Sequence, residues 1–187
     1  MSLSHAVTSD RQLARLLQIG VVLEEMVEAS AAHHTAEREQ DLDPEVAALL
    51  QEAAAEPERH RERLAALIDE LDADSVAYEE VEALVEAQYA ADDAFDDVLY
   101  DQLCNEETAY KFYDDLLTAL GVDDQTDGDS GVPGATDSDG GVGAATDDVA
   151  DAAFSVDRDR LVETLREIRD EEAAGVEDVT DLMERRA

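Results

Sequence analysis

Positive charge is nearly absent from this chain. Lys111 is the only lysine among 187 residues, and 13 basic side chains face 50 acidic ones for a formal charge of −37. Nucleic acid is therefore not an expected partner, because binding requires basic groups that displace counterions from phosphates. An anionic membrane surface is disfavoured on the same ground. Cysteine is equally scarce. Cys104 stands alone, so no intramolecular disulfide forms, and its place well off the apolar stripe of its helix gives it no chemical role. Long apolar runs are missing too. The longest aliphatic run of the first helical stretch, IGVVL, is far too short to span a bilayer. The opening MSLSHAVTSDRQ lacks the apolar core of a secretory signal. A cytoplasmic protein is the expectation.

What the chain does contain is apolar residues, 44% of the total, in regular spacing. A disordered acidic tail is poor in them. The combination reads as a folded protein with an acid-coated surface, the composition of halophilic proteins, whose self-repulsion molar salt screens.

The spacing is helical throughout. At about 100° per residue, Phe95, Leu99, Leu103, Tyr110, Tyr113, Leu117 and Leu120 share one face of a helix over 98–120, and Glu106 falls at its centre. A first helix over about 11–38, with Asp10 as its cap, carries Leu13, Leu16, Leu17, Gly20, Leu23, Val27, Ala31 and His34 on one stripe. Glu24 lies inside that stripe, Glu28 on its flank, and Glu25 faces away. Gly20 costs helix stability but lets another element approach closely. Asp43-Pro44 is a strong start signal for a second helix reaching about Leu71. Its face runs from Val46 through Leu50, Leu64 and Leu67, with His60 near the centre and Glu56 on the edge. Pro57 should kink or split it.

Asp74 and Ser75 can cap a third run, in which Val81, Leu84, Val85 and Gln88 continue in phase with the stripe around Glu106. This run is either one very long helix or a crossover helix followed by a separate one, and the second suits a bundle better. Residues of about 121–151 lose all periodicity and read as a flexible acidic insertion. DGDSG and DSDGG resemble pieces of calcium loops without the closing Glu. The last helix, over about 157–185, buries Leu161, Leu165, Ile168, Gly175, Val176, Val179, Leu182 and Met183. Glu172 is among them, with Glu171 outward.

A lone carboxylate in an apolar stripe must be protonated, paired or bound to a cation. Here the anomaly recurs on separate helices, and none of the stripes supplies an arginine. The two halves also match. VLEEMVEA around Glu24 aligns with LCNEETAY around Glu106, and EPERHRERLAALIDEL aligns with EEAAGVEDVTDLMER. Pro57 then faces Glu172, and His60 faces Gly175. A duplicated hairpin of this kind assembles as a single-domain bundle with its inward carboxylates meeting near the middle.

These features resemble the ferritin-like superfamily, in particular the rubrerythrin-like diiron carboxylate proteins, and so does the phrase E-x-x-A-x-x-F-Y from Glu106 to Tyr113. The family pattern is a Glu on each of two helices and a Glu-x-x-His on each of the others. The resemblance implies an all-α, ferritin-like four-helix bundle of two hairpins joined by a crossover, and a homodimer. It gives Glu24 and Glu106 the carboxylate roles of the first and third bundle helices, His60 the histidine of the second and Glu172 the glutamate of the fourth. Pro57 stands where the second helix should carry Glu, with Glu56 the nearest replacement, and Gly175 stands where the fourth should carry His. The implied ligand set is Glu24, Glu56, His60, Glu106 and Glu172, holding one or two iron ions or other divalent metals. The implied chemistry is oxidation of ferrous iron or reduction of peroxide. The rival is a bundle whose metal site has degenerated into a scaffold or interaction protein, and Pro57 and Gly175 favour it. Glu28 and Glu107 read as flank or surface groups, and His34 as boundary packing.

Overall fold

A computed structural model describes residues 6–37, 42–89, 98–122 and 154–186. Among them every regular element is an α-helix: α1 Asp10–Glu37, α2 Pro44–Ala53, α3 Glu56–Ile68, α4 Tyr78–Tyr89, α5 Val98–Ala119 and α6 Arg158–Arg186. The stretch between α4 and α5, which decides whether the third run is broken, lies outside the described residues. So do Phe95 and all but the first two positions of the expected insertion.

Local chemistry sets the helix ends. Asp43 caps α2, its Oδ1 accepting from the Glu45 amide at 2.9 Å while Pro44 occupies the first turn. Pro57 splits the second run, since α2 stops at Ala53 and α3 restarts at Glu56. Gly121 adopts φ 72° after α5, and the Val122 amide reaches back to the Leu117 carbonyl at 3.0 Å. That is a left-handed glycine closure. The expected cap of α1 is corrected. Ser9 Oγ accepts from the Gln12 amide at 3.3 Å, while Asp10 accepts from the Asp72 and Ser155 amides at 3.0 and 3.1 Å. Asp10 therefore ties three chain segments together instead of closing its own helix.

Helix α1 packs on α3, α5 and α4, whereas α6 packs on α5, α2 and α3. Paired residues give the directions. On α1 and α3, Gly20 meets Leu64 and Glu24 meets His60, and Asp10 at the start of α1 meets Asp72 just past the end of α3, so the two run antiparallel. On α5 and α6, Asp114 lies near Arg169 and Glu106 against Gly175, again antiparallel. The core falls into two apolar clusters. One holds Leu13, Leu17, Leu64, Leu67, Leu116, Leu117, Leu161, Leu165 and Ile168. The other holds Ala31, Val46, Leu50, Val98 and Leu182. Buried Glu24, His60, Glu106 and Glu172 lie along the helices between these clusters.

Several expected faces shift. On α5 the buried set is Val98, Gln102, Glu106, Ala109, Tyr113, Leu116, Leu117 and Ala119, with Leu99, Leu103 and Tyr110 half-buried. Leu84 is 69% exposed, because α4 packs chiefly on α1 and Leu84 lies off the strip on which Val81 and Val85 are buried. No described helix is long and apolar enough to cross a membrane.

Candidate metal centre

Three helices deliver to one point three side chains of the kind that can ligate a metal. Ligand atoms of Glu24 on α1, His60 on α3 and Glu172 on α6 all lie within 4.8 Å of one another. Their exposures are 0%, 1% and 3%, so water does not screen them. His60 Nδ1 stands 3.0 Å from Glu24 Oε2 and 3.0 Å from Glu172 Oε1. Tyr113 on α5 donates its hydroxyl to Glu24 Oε1 in a short bond. Gly20 makes that approach feasible. A Cβ there would stand 3.1 Å from Tyr113 Oη and 3.2 Å from Leu64 Cδ1.

The other ring nitrogen of His60 faces Glu171, with Nε2 and Oε2 2.8 Å apart. Arg63 in turn donates to both oxygens of Glu171, at 3.1 and 2.6 Å. The outward reading of Glu171 is thus corrected. It lies in the seam between α3 and α6, where a 3.6-residue stripe facing the interior does not look. Burial pushes the Glu171 carboxyl up, and the opposing Arg63 and His60 outweigh it, so its pKa is lowered and it remains an acceptor. A carboxylate at Nε2 holds a proton on that nitrogen, so that Nδ1, once it has lost its own proton, would be the nitrogen turned to a metal.

Glu106, 6% exposed, accepts from Gln102 Nε2 at 2.5 Å. Its carboxyl fills the space that a side chain at residue 175 would need: a Cβ on Gly175 would meet Glu106 Oε2 at 2.5 Å. Glu172 Oε2 is buried without a hydrogen-bond partner of sound geometry among the described residues, although Glu106 stands close enough to perturb it. Glu56 lies apart from the buried triad. It is paired with Arg59 at 3.1 Å, with its side chain 31% exposed, and it shares a cleft with Glu106 and Glu171.

The electrostatics follow from burial. Desolvation lowers the His60 imidazole, but its bonds to Glu172 and Glu24 outweigh that and raise it to about 10. Burial raises Glu172 to about 9, with Glu24 and Glu106 adding to the effect and the His60 bond opposing it. Glu106 is raised as well, first by burial. Without a metal, protons balance the cluster. Two carboxylates, one of which keeps a buried oxygen without a well-formed hydrogen bond, and one imidazole form a donor set that fits a divalent iron, manganese or zinc ion.

Other expected positions divide. Glu25 does not turn away. It accepts from the Tyr78 hydroxyl at 2.6 Å and lies 3.3 Å from Arg61 Nη1, because α1 has α4 and α3 as neighbours on that side. Glu28 is a flank group bound by Arg61 at 2.5 Å, and Glu107 is exposed beside Lys111. His34 is more than boundary packing. It is buried, with Nε2 2.9 Å from Asp101 Oδ2, which also accepts from Ser30 Oγ at 2.6 Å. Cys104 is exposed. Comparison with family models, curated proteins and solved structures finds no match to this chain.

Proposed function

We propose that this chain is a ferritin-like four-helix bundle, formed by α1, α2–α3, α5 and α6, that binds a divalent metal ion at Glu24, His60 and Glu172. Iron is the preferred ion, and Glu106 is the nearest further carboxylate. The observation that carries the reading is the triad itself, three ligand atoms from three helices within 4.8 Å of one another and shut away from water. The Glu171 and Arg63 pair behind His60 adds support, since an oriented imidazole is what a metal-ligating histidine needs. Bound iron would supply one-electron chemistry toward oxygen or peroxide. The chain itself holds the donors: Arg63 secures Glu171, Glu171 accepts a hydrogen bond from His60 Nε2, and Tyr113 fixes Glu24. Elemental analysis of protein purified without chelator is the test. It should find iron or a similar metal, and Glu24→Ala should abolish it.

A specific observation favours the second reading, a degenerate site in a structural or interaction protein. Glu106 packs into the space beside Gly175, where the family pattern would carry a ligating histidine, and the imidazolium of His60 is satisfied by carboxylates alone. Protein that is metal-free as purified and takes up no ferrous ion under argon would establish this alternative.

A further inference from the structure

We propose that divalent cations reach the buried triad through the acidic cleft between α2 and α6, passing Gly175. This rests on the metal-binding reading above. The cleft measures about 420 Å³ and is lined by six acidic residues, Glu45, Glu52, Glu56, Glu106, Glu171 and Asp178, against one basic residue, Arg185. Its mouth is exposed at Glu45, Glu52 and Asp178, and its floor is buried at Glu106. Two of its walls touch the centre directly. Glu171 bonds His60 Nε2 at 2.8 Å, and Glu106 adjoins Glu172, whose buried Oε2 has no hydrogen bond of sound geometry among the described residues.

The alternative approaches are less suited to a cation. Arg61, bound to Glu25 and Glu28, fills the seam between α1 and α3. Arg63 covers the seam between α3 and α6. Tyr113 and Phe112 close against Gly20 between α1 and α5. Apolar clusters occupy both directions along the helices. Among the described residues, Gly175 is where a missing side chain leaves a carboxyl, that of Glu106, as the partition between cleft and centre. A carboxyl at the end of a flexible side chain can swing where backbone cannot.

Stopped-flow uptake of Co²⁺ by the full chain tests this. Ala48 and Ala174 line the cleft and are exposed, so Ala48→Lys with Ala174→Lys places two cations in it without disturbing the core. Ala32→Lys with Ala66→Lys, on exposed sites outside the cleft, changes net charge equally. At about 0.1 M salt the cleft pair should slow uptake by about tenfold or more, with the gap narrowing in molar salt. Its final Co²⁺ content should be unchanged. The control pair should stay near the wild-type rate. Equal rates for the two pairs, with Co²⁺ bound in both, overturn the route alone. Absence of Co²⁺ binding by the wild type overturns the route and the metal-binding reading together.

Discussion

His60 is held on both ring nitrogens, 3.0 Å from Glu24 and Glu172 on one side and 2.8 Å from Glu171 on the other. Removing the carboxylate behind Nε2 frees the ring to turn, so Glu171→Ala should lower metal affinity about 10- to 100-fold while leaving helix content intact. Titration with Co²⁺ followed by circular dichroism checks both parts. The same cluster makes the metal-free protein sensitive to pH. The folded state raises His60 from 6.5 to about 10, so its contribution to stability is complete below pH 6.5 and is lost as pH rises toward 10. Glu172 is raised from 4.5 to about 9, so its protonated form favours folding at low pH and that advantage is lost by pH 9. Both signs agree. The melting temperature in chelator should fall between pH 6 and pH 9, and a flat profile would contradict this. Glu24, His60, Glu106 and Glu172 were legible because charge in an apolar stripe is an anomaly that periodicity exposes. Glu25 and Glu171 were not, because each sits in a seam between two neighbours, and a single stripe per helix assigns such positions to water.

Elements carry the next set of consequences. Gly20 and Gly175 are both helical glycines with a neighbour in the way, yet the neighbours differ. At Gly20 a Cβ meets Tyr113 at 3.1 Å and Leu64 at 3.2 Å, both fully buried, so that each would have to shift within a packed core. Gly20→Ala should therefore destabilise by about 1–3 kcal/mol through overpacking, outweighing the better helix propensity of Ala. At Gly175 the neighbour is the flexible end of Glu106. Gly175→Ala should change stability by no more than about 1 kcal/mol while displacing Glu106 and altering metal uptake. Urea titration of the two variants distinguishes them. Two element boundaries read from sequence held because proline dictates them, while Asp10 does not cap α1 and the run expected to be capped by Asp74 and Ser75 begins only at Tyr78. Asp43-Pro44 opens α2, and Pro57 splits α2 from α3. Leu84 failed because a helix resting mainly on one neighbour buries a narrower strip than its apolar pattern offers.

For the whole molecule the dominant quantity is the charge of −37. Self-repulsion on this scale is screened within about 10 Å at 0.1 M salt and about 3 Å at 1 M. Unfolding temperature should rise substantially from 0.05 M to 2 M KCl, and a salt-independent value would remove the halophilic expectation. The acidic surface also concentrates cations near the cleft at α2 and α6, which connects the composition to the centre. The most direct test of the account is metal titration of the wild type beside Glu24→Ala and His60→Ala, each first stripped with chelator. The account predicts at least one tightly bound ion per wild-type chain and its loss in both variants. A wild type that binds none, or variants that bind as the wild type does, would contradict it.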